Sequence, residues 1–120
     1  MKGLAAFLIL FCTIASAGFA QNKAPLSENQ KIEALIKAVE QLKEAKFYRN
    51  GDLHDAAAAA KHLRMKWEKA GSRIKTTIDF IEKIASKSSM SGEPYKIVYA
   101  NGKTVLARQF FYEKLKGLSK

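Results

Sequence analysis

Eight side chains in this sequence have types and spacings suited to holding an anion: Arg49, Asn50, His62, Arg64, Lys66, Ser86, Ser88 and Ser89. Arg49-Asn50-Gly51-Asp52 is a cationic turn placed just before an alanine-rich segment. Its guanidinium and N–H groups could meet an anion beside a helix N-terminus. The plainer reading makes it a connector between two helices with a capping aspartate. His62 and Lys66 lie one helical turn apart and could share a phosphate or carboxylate; the alternative is a solvated face, with His62 networked to the serine loop. The hydroxyls and N–H groups of Ser86, Ser88 and Ser89 could complete the same site, although serine is common in loops. At 100° per residue, His62, Lys66, Lys69 and Arg73 share one flank of a helix, whereas Lys61 and Arg64 fall on the other. His62 and Arg64 therefore cannot serve one ligand unless it reaches across the helix.

Other chemistries find no support in the spacing. His54 sits between Asp52 and Asp55, but two-residue steps in a turn without a second well-placed histidine do not make a metal site, so no metal and no cofactor is expected. Ser88 or Ser89 with His62 and Asp52 would supply the residue types of a hydrolase triad, yet there is no nucleophile elbow and no identifiable oxyanion hole. Trp67, Phe80, Phe110 and Phe111 fall on helical stripes and are assigned to the core.

The elements that position these residues are mostly helical. Ser27-Glu28-Asn29-Gln30 has capping-box spacing, and Ile32, Leu35, Ile36, Val39 and Leu42 recur at helical intervals, predicting a first helix over about 28–46. Asn50-Gly51 favours positive φ and reverses the chain. A second helix follows, with a seam of Leu53, Ala56, Ala60, Leu63, Trp67, Ala70 and Ile74. Gly71-Ser72 marks a break, and Thr76 with Asp79 repeats the capping-box spacing. The third helix, about 73–85, would bury Ile74, Ile78, Ile81 and Ile84, with Phe80 to one side. Residues 86–94 read as loop. Tyr95–Tyr99 alternates like a strand, and Ala100-Asn101-Gly102-Lys103 suits a two-residue hairpin turn. Leu106, Phe110, Phe111, Leu115 and Leu118 then form a last amphipathic helix. The expected fold is mainly α (α+β): a three-helix antiparallel bundle with a small β-hairpin and a C-terminal helix.

The N-terminus carries a different signal. Met1-Lys2 precedes an apolar run, Leu4–Ala15, followed by the small residues Ala15-Ser16-Ala17 and Gly18-Phe19-Ala20, the pattern of a cleaved secretory signal peptide. An uncleaved anchor would need roughly 20 apolar residues, and a lipid-modified cysteine is disfavoured because Cys12 follows bulky Phe11. Residues 1–20 are thus expected to be a signal peptide and 21–120 a single, mostly helical domain, with no integral membrane segment after cleavage. Cleavage after Ala20 removes the only cysteine and lowers the formal charge from +10 to +9. Thiol chemistry and disulfides are then excluded. The basic balance favours an anionic envelope component or an acidic protein as partner. No groove-reading motif accompanies the charge, so nucleic acid is not expected.

Several uncommon short motifs fall in one order: Phe47-x-Arg49-Asn50-Gly51-Asp52-x-His54, Ala58-x-x-x-His62-Leu63-Arg64-x-Lys66, Ile74-x-Thr76-Thr77, Phe80-Ile81, and Ala85-Ser86-x-Ser88-Ser89-x-Ser91-Gly92-x-Pro94-Tyr95. In these the chain resembles the YfeK-like family of small exported bacterial proteins, over most of residues 28–115. The resemblance implies a periplasmic protein of Gram-negative bacteria and brings no activity, cofactor or catalytic residue with it. The leading functional expectation is a non-enzymatic periplasmic binding or envelope-accessory protein for an anionic ligand or partner. A small periplasmic hydrolase and an immunity-like protein that sequesters a toxin are the alternatives.

Overall fold

The structure, a computed structural model, describes residues 24–118; the expected signal peptide lies outside the described residues. Helix α1 (Glu28–Glu40) opens with the anticipated capping box, the Ser27 hydroxyl accepting from the Gln30 N–H and the Gln30 side chain from that of Ser27. It ends six residues earlier than its periodicity suggested. Two successive tight turns, Leu42 N–H to Val39 and Ala45 N–H to Leu42, replace the last helical turns. They swing the chain into strand β1 (Lys46–Arg49).

Arg49-Asn50-Gly51-Asp52 does not connect two helices. Asn50 (φ 50°) and Gly51 (φ 89°) form a two-residue turn between paired Arg49 and Asp52, the backbone required to match the twist of a β-hairpin. Strand β2 (Asp52–His54) follows, and then α2 (Ala56–Ala70), capped by Asp55, whose carboxylate accepts from the Ala58 N–H at 2.8 Å. Ala56, Ala60 and Leu63 are buried as expected, and Ala59 joins them. Leu53 does not: it is 58% exposed on the outer face of the sheet.

Gly71 (φ 55°) ends α2 in a 3-10 turn, Gly71–Arg73. The Thr76 capping box forms as expected and opens α3 (Thr77–Phe80), which continues as a π-helical turn, Ile81–Ala85. The buried stripe here is Thr77, Phe80, Ile81, Ile84 and Ala85; Ile78 is 53% exposed and Phe80 fully buried, reversing their expected roles. Thr77 is buried because its N–H and hydroxyl donate to the Glu28 carboxylate at 2.6 and 2.8 Å, clasping the starts of α1 and α3. Strands β3 (Lys96–Val98) and β4 (Thr104–Leu106) are joined by a three-residue loop rather than the expected two, closed by Tyr99–Lys103 and Gly102–Tyr99 backbone bonds. Helix α4 (Ala107–Leu118) buries Ala107, Phe110 and Phe111; Leu106 stays in β4.

The two hairpins join through β1 and β3 into a four-stranded antiparallel sheet of order β2-β1-β3-β4. The α+β class therefore holds, while the three-helix bundle with one small hairpin gives way to helices packed on one face of this sheet. His54, Phe47, Ile97 and Val105 lie opposite one another across the strands and so share the helix-facing side. Leu53, Tyr48, Lys96 and Leu106 form the outer row. Below the sheet, Trp67, Phe80, Phe111 and Phe110 pack edge to face in sequence, with centroids 5.3–6.3 Å apart. No helix among the described residues is long and apolar enough to cross a membrane.

Candidate functional site

Alternation along β1 sends Phe47 into the core and Arg49, two residues on, out at the rim of the same face. Arg49 thereby borders a narrow apolar cleft whose other walls are Phe47, His54, His62, Leu63, Tyr95 and Phe111. Its cavity volume of about 30 Å³ admits one or two waters and no organic ligand. The rim, not the interior, is where recognition could occur.

Three rim groups are linked. Lys66 Nζ donates to the Tyr95 hydroxyl at 3.2 Å, and His62 Nε2 lies 3.3 Å from that oxygen. An ammonium has no lone pair to accept with, so the hydroxyl accepts from Lys66; the direction of its bond with Nε2 follows the tautomer of the ring. Where the hydroxyl donates to Nε2, His62 carries its proton on Nδ1. Burial, reinforced by the charges of Arg49, Lys66 and His54, pushes the His62 pKa down to about 4, so the ring is neutral at pH 7. Burial and then Arg49 likewise lower the Lys66 pKa. Burial raises that of Tyr95, against an opposing pull from Arg49.

The loop after the π-helical turn is pinned across this rim. Asn50 Nδ2 donates to Ser88 Oγ at 3.1 Å, and Ser91 Oγ donates to Asn50 Oδ1 at 2.7 Å. Ser88 Oγ also accepts from the N–H groups of Met90 and Ser91. Lys66 Nζ reaches the carbonyls of Ile84 and Lys87. Ser86 is buried and donates to the Ile81 carbonyl at 2.6 Å.

The eight residues singled out in the sequence thus divide. Arg49, Asn50, His62, Lys66 and Ser88 come together at the meeting point of the first hairpin, α2 and the loop. Arg64 does not, because it turns to the opposite flank and binds Glu33 of α1 through both carboxylate oxygens at 2.7 and 2.9 Å. Ser86 serves the backbone, and Ser89 faces a separate concavity beside Lys66. Sequence reasoning missed Tyr95, which sits at the centre, and Ser91, and weighed His54 only as a metal ligand; Tyr95 directly follows Pro94 in the last motif of the resemblance, which was the available signal. His62 meets Tyr95 rather than a serine, and Asp52 is held opposite Arg49 in the hairpin register, so the Ser88–His62–Asp52 arrangement is not assembled. Among the described residues no three His, Cys, Asp or Glu side chains converge.

The family profile of DUF5329 matches residues 26–119. The chain belongs to DUF5329. This is a family of unknown function, and its match spans all the elements that build the rim. The uncharacterized protein YfeK of Salmonella typhimurium (strain LT2) is 44% identical over 68 residues, 57% of each chain. The DUF5329 chain thus spans little more than half the length of that curated relative. No solved structure matches it.

Proposed function

We propose that this DUF5329 protein is a non-enzymatic periplasmic binding or envelope-accessory protein that recognises an anionic group at the rim formed by Arg49, His54 and His62. The observation that carries this reading is Arg49 itself. Among the described residues its guanidinium makes no hydrogen bond or ion pair, while its charge acts on His62, Lys66 and Tyr95. Asp52, its partner in the hairpin register, makes no ion pair with it, so the repulsion between Arg49 and the neighbouring basic groups is left for a bound anion to relieve. The neutral His62 ring adds an uncharged polar group to the rim, and the pinned loop keeps it rigid.

Export rests on the leader pattern of residues 1–20, and the apolar-then-small order there supports it. N-terminal mass spectrometry of the protein recovered from a Gram-negative periplasm is expected to find Gln21 or Gly18 first; an intact Met1 in the membrane fraction would overturn it. Binding is tested by co-sedimentation with phosphatidylcholine vesicles with and without phosphatidylglycerol, and by retention on an acidic protein column. Arg49→Gln should weaken retention about five-fold or more, as for loss of one charged contact, with an unchanged melting temperature. Equal retention of Arg49→Gln and wild type on every matrix would sink the reading.

A further inference from the structure

A wider concavity lies further along α2 towards its C-terminal end, sharing only Lys66 with the Arg49 rim. It is bounded by Lys66, Lys69 and Arg73, by Lys83 on the π-helical turn and by Ser89 of the loop, over an apolar floor of Ala70, Ile74 and Ile84. We infer that this concavity is a second binding site, for a phosphomonoester carried on a compact polar body of sugar size. The inference does not rest on the function proposed above, because Lys69, Arg73 and Lys83 take no part in the Arg49 rim.

Four observations support it. Lys66, Lys69, Arg73 and Lys83 contribute four positive charges from three segments, and no carboxylate lines the space. Lys69 and the Ser89 hydroxyl have no hydrogen-bond partner among the described residues, so their donors are available. Arg73 is already oriented: its Nε donates to the Ala70 carbonyl at 3.2 Å, which fixes the plane of the guanidinium and leaves its terminal N–H groups for a ligand. Of the four cations only Lys83 has an ion pair among the described residues, with Asp79 at 3.8 Å, and that carboxylate is also occupied with capping the N–H groups of Lys75 and Thr76.

The charge selects the ligand class. A phosphomonoester brings about −1.5 to −2 charges and three acceptor oxygens at neutral pH, more than one carboxylate offers to four cations. Arginine grips such a group through two parallel bonds, and lysines add point charges around it. The concavity, about 500 Å³ and open to solvent on one side, leaves room for a body larger than one phosphate. The Ile74–Ile84 floor can take the less polar face of a ring. A soluble sugar phosphate and a phosphorylated lipid headgroup present this same chemistry.

The test is an NMR titration of ¹⁵N-labelled protein with inorganic phosphate and with glucose 6-phosphate, beside co-sedimentation with phosphatidylcholine vesicles containing phosphatidic acid. Saturable shifts at Lys69, Arg73 and Ser89 are expected, with the sugar phosphate binding more tightly than phosphate. Lys69→Gln/Arg73→Gln, both at exposed positions, should weaken binding about ten-fold, whereas the charge-matched Lys103→Gln/Lys116→Gln and the rim variant Arg49→Gln should change it by less than about two-fold. Binding to vesicles alone, lost in the Lys69/Arg73 variant, would assign the phosphate to a lipid headgroup; binding to the soluble probe would assign it to a free ligand. The inference is overturned if neither soluble probe shifts these residues at about 10 mM and phosphatidic acid adds nothing to vesicle binding, or if the charge-matched variant loses as much as the Lys69/Arg73 variant.

Discussion

Acidifying the protein through the range between pH 6.5 and 4 should strain one identifiable group, His62. Its folded pKa of about 4 lies below the 6.5 of a free imidazole, so between those values the unfolded chain binds a proton that the folded chain refuses. By linkage, the stabilisation from keeping His62 neutral is complete above pH 6.5 and is lost as the pH falls to about 4. A gap of that width corresponds to roughly 3 kcal/mol at 1.36 kcal/mol per pH unit. His62 is only partly buried, so solvent screening reduces the expected loss to about 1–2 kcal/mol. Burial is the main cause of the shift, and the charges that reinforce it come from three elements: Arg49 on β1, Lys66 on α2 and His54 on β2. Urea denaturation at half-unit pH steps, for wild type and His62→Gln, isolates the effect. Glutamine can still accept from the Tyr95 hydroxyl but does not titrate, so the variant should show a flatter slope across this window. Carboxylates such as Glu28 and Asp79, whose pKa values are lowered, lose their contribution in both proteins as the pH falls, and the difference curve cancels them. Parallel slopes, or an NMR titration placing the His62 ring near 6.5, would refute the reasoning.

Four further outcomes follow from the packing. Asn50→Gly keeps the positive φ of the turn but deletes both bonds to Ser88 and Ser91; it should cost about 1–2 kcal/mol and speed hydrogen exchange at Met90 and Ser91. Asn50→Ala should cost more, because it also places an ordinary side chain in the left-handed region. Ala60→Leu inserts three carbons at a site that is 2% exposed and should lower stability by about 1–3 kcal/mol in denaturant titrations. Thr77→Val removes the hydroxyl that Glu28 accepts from while preserving shape; a loss of about 1–2 kcal/mol is expected by calorimetry, and no change would show that the clasp is carried by the Thr77 N–H alone.

The helices were legible because burial and period agree in them. Ile32, Leu35, Ile36 and Val39 point one way, and the Ser27 and Thr76 caps are local signals that survive any tertiary context. The first hairpin was hidden because its alternation is inverted. On the core-facing side β1 and β2 carry polar Arg49 and His54, while apolar Leu53 faces out, so the period-two pattern that announces a strand is absent. Asn50-Gly51 was the remaining signal, and it fits a helix connector as well as a hairpin. Ile78 and Phe80 exchanged roles for a related reason: the buried stripe is phased by Thr77, a polar residue that enters the core only because Glu28, 49 positions away in the chain, receives its N–H and hydroxyl. The convergence of Arg49, Asn50, His62, Lys66 and Ser88 could be suspected from helix geometry. Tyr95 as their hub could not, because its contacts are with residues 29 and 33 positions earlier in the chain.

The seam between β1 and β3 has a consequence for how the chain reaches this state. Each hairpin is a local event, closed by its own turn in microseconds, but each has only two strands of three or four residues and is at best marginal alone. Their shared register sets Phe47 against Ile97, and the chain between these two residues contains α2, the 3-10 turn, α3, the π-helical turn and the serine loop. The seam therefore closes only after that intervening segment has folded back, and neither hairpin is secure until it does. Folding should accordingly be all-or-none, with strand protection acquired late and simultaneously in both hairpins rather than first in either.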